Sequence, residues 1–111
     1  MQMWMYQKDA GKTAQYPGRG DLDGLLYTTL GLAGEAGEIA NKVKKIMRDD
    51  SYILTDEMKK AIKKELGDLL WYFAETCTNL ELDMSEIAHE NLLMLKDRQV
   101  RDVIKGSGDD R

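Results

Sequence analysis

The 111-residue chain has one proline, Pro17, and one cysteine, Cys77. A single proline leaves nearly the whole length free to be helical, since a helix interior is where proline is least tolerated. A lone cysteine excludes an internal disulfide, and a reduced, cytoplasmic compartment is the default expectation. Alternating β-branched and aromatic runs are missing, which argues against a sheet. No apolar stretch reaches the ~20 residues of a membrane span, and the N-terminus lacks a signal-peptide core. A basic excess is missing too, because the net charge is -4. Nucleic-acid binders usually present a basic face, so neither nucleic acid nor membrane is expected as a partner. An acid excess suits cations instead.

What is present reads as helix. With 42% apolar and 32% charged residues, the chain suits one soluble globular domain. Its patterning predicts helices over about 3–15, 22–48, 55–80 and 85–98. The segment YPGRGD separates the first two, and DDSYILTD is a loop. Asp21 or Asp23 is the candidate N-cap of the second helix and Ser85 that of the fourth. Thr55 followed by Asp56 and Glu57 looks like the start of the third, with acids where the helix dipole favours them. Short connections between these helices predict an all-α, antiparallel four-helix bundle over residues 1–98. Many apolar positions on long helices point to a core completed by a second copy, as a homodimer or homotetramer. Residues 99–111 read as a flexible tail around Gly106-Ser107-Gly108.

The stretch GLAGEAGEIANK (31 to 42) is a poor helix by composition, since each glycine costs roughly 0.5–1 kcal/mol relative to alanine. On a helical wheel with Glu35 at zero, Leu25, Leu32, Ile39, Val43 and Ile46 fall at roughly 20–80°, with Glu38 and Lys42 near 300° and 340°. The two acids therefore border the buried stripe. The third helix repeats the layout. With Glu65 at zero, Ile62, Leu66, Leu69, Phe73 and Leu80 fall at roughly 40–100°, and Asp68 and Tyr72 near 300° and 340°. EAGEIANKV (35 to 43) aligns without a gap over ELGDLLWYF (65 to 73).

Antiparallel packing of these stripes would bring four carboxylates to one level. Four acids at a core edge repel each other unless protonated or bridged by a hard cation such as Mg²⁺. Gly37 and Gly67, between the acids, would let backbones approach and leave room for a ligand. A single Glu-x-x-Glu is ordinarily a solvated face with pairs such as Glu38–Lys42. Two such pairs at the core border weigh against that reading.

On the fourth helix, Asn91 and Arg98 lie within the apolar stripe and need partners. A buried hydrogen bond or salt bridge would serve. So would a sugar or base for Asn91 and a phosphate for Arg98. Trp71 and Tyr72 follow Asp68 and could stack on a base, although such aromatics are often core. The single Glu-x-x-His, Glu86 to His89, is one motif of the pair a di-iron bundle needs, and His89 faces away from the core. A helical, antitoxin-like interaction protein is the non-enzymatic alternative.

GEAGE followed by KELGDLLWY resembles the MazG-like, all-α nucleoside triphosphate pyrophosphohydrolases. Their Glu-x-x-Glu and Glu-x-x-Asp pairs map to Glu35, Glu38, Glu65 and Asp68. The opening Tyr6-Gln7 and the end from Asn91 are similar as well. The resemblance implies cleavage between the α and β phosphates, giving a monophosphate and pyrophosphate. It implies Mg²⁺ on the four acids, with Mn²⁺ as a substitute, and a tight dimer, often paired into a tetramer. Glu35, Glu65 and Asp68 would chiefly hold metal, and Glu38 would hold metal or orient the attacking water, with Glu38 and Glu35 the catalytic pair. Substrate contacts would come from Lys42, Lys45, Tyr72, Asn91, Arg98, Arg101 and Lys105. Met94 stands where the family commonly has lysine.

Overall fold

The computed structural model describes residues 1–49, 51–101 and 108. Four helices follow in order: α1 (Met3–Gly11), α2 (Leu22–Asp49), α3 (Asp56–Asn79) and α4 (Met84–Val100). All regular structure among the described residues is helical, as the composition implies.

Local chemistry sets most boundaries. The Thr55 hydroxyl accepts from the Met58 N–H at 3.2 Å and caps α3 as expected. α1 stops at Gly11, four residues short of expectation. The Thr13 hydroxyl and N–H both turn onto the Ala10 carbonyl, at 2.7 and 3.0 Å, and so compete with helix continuation. Ser85 is not the cap of α4. The Asp83 carboxylate accepts from the Ser85 N–H at 2.7 Å, while the Ser85 hydroxyl accepts from Trp4 N–H of α1. α4 runs two residues past Arg98, to Val100.

α2 and α3 pack antiparallel along their length. Thr28 meets Asn79, Gly31 lies against the Tyr72 ring, and Lys42 reaches Glu65. α1 leans on α3, with Gln7 fastening the α3–α4 turn. Its amide donates to Leu82 O and Thr78 Oγ1, and its carbonyl accepts from the Met84 N–H. α4 follows α1 and meets α3 near Met84, which packs on Ala74 and Cys77. Further along, α3 and α4 border a cavity of about 430 Å³ between Leu69, Leu70, Phe73, Ile87 and Ala88. Among the described residues only four apolar ones are buried, Ala10, Ala74, Cys77 and Met84. The apolar stripes of α2 and α3 are thus half open in the single chain.

The glycines divide in a way the sequence reading did not foresee. A Cβ at Gly24 would collide with the Gly18 carbonyl, and one at Gly31 with the Tyr72 ring. Both are close approaches of α2 to its neighbours. Gly34, Gly37 and Gly67 face open space, so the glycines beside the acids leave room and do not draw backbones together.

Candidate active site

The antiparallel register places Glu35 of α2 opposite Glu65 and Asp68 of α3. Each of the three offers an oxygen within 4.8 Å of the others. Glu38, one turn on from Glu35, is exposed and stands outside this set. The convergence expected of four acids is therefore that of three, with Glu38 beside them. No histidine joins the cluster, and His89 is exposed, which removes the di-iron arrangement among the described residues.

The cluster is electrostatically tense. A hydrogen bond to Glu65 raises the Glu35 carboxyl above its ordinary value of 4.5, helped by burial and by the charges of Glu65, Asp68 and Glu38. One Glu35 oxygen is buried without a hydrogen-bond partner. Two carboxylates can share a hydrogen bond only while one keeps its proton, which is the physical cause of the raised Glu35 carboxyl. A hard divalent cation would relieve the repulsion, and the all-oxygen donor set fits Mg²⁺.

The sign of the pH dependence follows. A carboxyl raised in the folded state binds protons there that the unfolded chain has released. Its contribution to stability is therefore lost as pH climbs from about 4.5 through the raised value. In EDTA, the wild-type Tm should fall relative to that of Glu35→Gln between pH 5 and 7. A constant difference across that range would contradict this account.

Glu35 and Asp68 border a cavity of about 470 Å³ with Thr13, Trp71 and Tyr72. The Trp71 indole donates to Thr13 Oγ1 at 2.8 Å. Trp71 stands edge-on to Tyr72 and Tyr16, and Tyr16 stacks on Tyr27 at 4.9 Å with the rings 6° from parallel. Burial first, then Tyr27, Glu35 and Asp68, raise the Tyr72 hydroxyl. Tyr72 thus lies where the sequence reading put it, on the acid side.

Lys42 sits 3.8 Å from Glu65 Oε1, across the seam, rather than pairing with Glu38. Lys45 lines a small cavity with Lys42, Ile46 and Met58, toward the loop end of the hairpin. The α4 residues are not brought to the acids. Asn91 borders the apolar cavity between α3 and α4. Arg98 is buried with Nη2 2.8 Å from Met94 Sδ, so Met94 supports the guanidinium. Arg101 pairs with Asp97 at 2.8 Å. Lys105 lies outside the described residues.

Sequence reasoning missed one set of residues. Glu75, with no exposed surface, accepts from Arg19 Nε at 2.7 Å, Arg19 Nη2 at 3.2 Å and the Tyr16 hydroxyl at 2.7 Å. Asn79 is buried one turn on. Its oxygen accepts from Gly20 N–H at 2.6 Å, and its amide donates to Tyr16 Oη and Thr28 Oγ1. A signal was available: Glu65, Asp68, Tyr72, Glu75 and Asn79 form one polar line at helical spacing.

Comparison with known proteins is consistent with this geometry. The MazG nucleotide pyrophosphohydrolase domain matches residues 24–100. The gene 37 protein of Mycobacterium phage L5 is 49% identical over 114 aligned residues, which cover all of both chains. No solved structure matches. No described helix is long and apolar enough to cross a membrane.

Proposed function

We infer the activity of this chain from one premise: it belongs to the MazG nucleotide pyrophosphohydrolase family. The reaction is hydrolysis of a nucleoside triphosphate between its α and β phosphates, giving the monophosphate and pyrophosphate, in the service of nucleotide-pool cleaning. The observation that carries this reading is the carboxylate triad drawn from two helices, with a buried, unpartnered Glu35 oxygen, at the edge of a cavity walled by aromatics.

Glu35, Glu65 and Asp68 would hold Mg²⁺, or Mn²⁺ in its place. Bound there, the ion would neutralise phosphate oxygens and acidify a water. Glu38, beside the triad and open to solvent, takes the proton of the attacking water on its carboxylate. Lys42 and Lys45 add positive charge along the path of the phosphates, and Tyr72 borders the rest of the nucleotide. Asn91, Arg98, Arg101 and Lys105 lie on or beyond α4. They act in this reading from a second copy of the chain, which makes the working unit a homodimer or a pair of dimers.

Purified protein with Mg²⁺ should release monophosphate and pyrophosphate in equal amounts from at least one member of a panel of ribo- and deoxyribonucleoside triphosphates. EDTA should stop it. Release of the γ phosphate alone, or no release from any member, would overturn the reading.

A further inference from the structure

Beside the acids the cavity is walled by Trp71 and Tyr72 of α3 and by Thr13 of a loop that bears on Trp71, and that loop is held by polar groups. Residues 12–21 contain Pro17 and two glycines at positive φ, Gly18 at 75° and Gly20 at 91°. Such a segment has little apolar surface to bury. Its fastenings are Arg19 and Tyr16 on Glu75, and Gly20 and Tyr16 on Asn79. The same loop supplies Thr13, which accepts from Trp71 at the cavity edge, and Tyr16, which stacks on Tyr27.

We propose that Glu75 is a positioning residue for the nucleotide cavity. Acting through Arg19 and Tyr16, it sets the aromatic wall against which the part of the nucleotide beyond its phosphates lies. This rests on the function proposed above. Arg19 and Tyr16 precede the matched residues 24–100, so family membership alone assigns them no such part.

The physical argument runs along α3. Asp68, Tyr72 and Glu75 lie on one face within two turns, so the helix that presents an acid of the triad also carries the anchor of the loop. A fully buried carboxylate is tolerable only with charge-assisted partners, and the Arg19 fork with the Tyr16 hydroxyl supplies three bonds. Arg19 itself is 39% exposed, so the pair is reached by water on one side only. Were the pair merely structural, an isostere that let the loop settle elsewhere would cost stability and nothing more. Here the loop also holds the Trp71 indole in place, so a shift of the loop must reach the wall. A displaced binding wall loses contacts with the ligand, and each ~1.4 kcal/mol so lost is tenfold in affinity.

The test uses the full chain carrying Trp4→Phe, which leaves Trp71 as the sole tryptophan. Glu75→Gln, Arg19→Lys and Tyr16→Phe are compared with that parent. The readouts are Trp71 emission, KM and kcat, Kd for an α,β-imido deoxynucleoside triphosphate, and Mn²⁺ binding by electron paramagnetic resonance. Glu75→Gln and Arg19→Lys should red-shift Trp71 and raise KM and Kd by about tenfold or more, with kcat and Mn²⁺ affinity changed less than about threefold. Tyr16→Phe keeps the stack on Tyr27 and should fall between them and the parent.

Altered Trp71 emission with KM and Kd unchanged would overturn the proposal, as would kcat and Mn²⁺ affinity falling by about tenfold as KM rises. If Glu75→Gln does not fold, Arg19→Lys, which keeps the charge and loses the fork, decides by the same readouts. A parent that binds the imido nucleotide but hydrolyses no triphosphate sinks the pyrophosphohydrolase reading, and Kd still decides the role of Glu75. A parent that binds no nucleotide overturns both.

Discussion

Glu38→Gln should lower kcat by about 10²–10⁴-fold and leave helix content and Mn²⁺ affinity nearly unchanged. The reason lies in where Glu38 stands. It is exposed and outside the set of three acids, yet its charge is among those that raise the Glu35 carboxyl. A carboxylate so placed is near the triad without being consumed by it. It can accept a proton from an in-line water, and the amide of glutamine cannot. Asp68→Asn should behave differently. Asp68 is within the triad, so its loss removes a ligand oxygen and should raise the Mg²⁺ concentration needed for half-maximal rate. Rate titrations with Mg²⁺, beside Mn²⁺ binding by paramagnetic resonance, separate the two outcomes. Glu38→Gln with kcat within tenfold of wild type would remove Glu38 from the chemistry. Equal loss of metal binding in both variants would make Glu38 a ligand instead.

The hairpin of α2 and α3 was legible because its determinants are local. Helical period, acids at i and i+3 and a cap at Thr55 can all be read along one strand of text, and two matching stripes imply a register. Glu35, Glu65 and Asp68 followed directly. The clamp on Glu75 was not legible, because Arg19 lies 56 residues away and its loop obeys no period. Asn79 is similar, since its partner Gly20 offers only a backbone N–H. The glycines show the same division. Gly31 and Gly24 serve contacts that depend on a distant side chain or loop, whereas Gly37 and Gly67, conspicuous by position, touch nothing. α4 was legible as a helix but not as a location. Its short apolar stripe does not name the surface it covers, and Asn91, Arg98 and Arg101 could not be placed without that.

The largest effect on the molecule as a whole should come from Leu70→Glu. The described single chain has a radius of gyration of 16.9 Å, where a compact chain of this length has about 13 Å. It exposes 8374 Å², where a compact monomer of its 12.6 kDa exposes about 6,200 Å². The excess, roughly 2,000 Å², is the size of an obligate interface. Leu66, Leu70, Leu92 and Leu93 are all exposed, and the cavity between α3 and α4 lies among apolar side chains. A second copy on this face would complete the core. Leu70 keeps 40% of its surface exposed in the single chain, so burying the rest is worth about 1 kcal/mol, and a symmetric dimer counts it twice. Leu70→Glu should therefore cost the dimer several kcal/mol, most of it from desolvating two carboxylates. Light scattering should give a multiple of 12.6 kDa for the wild type, with a Tm that rises with protein concentration. The variant should run as a monomer with a broad, weakly cooperative transition. Its hydrolysis should fall with its association even though Glu35, Glu65 and Asp68 are untouched. A wild-type monomer with a sharp transition and full activity would show that one chain suffices.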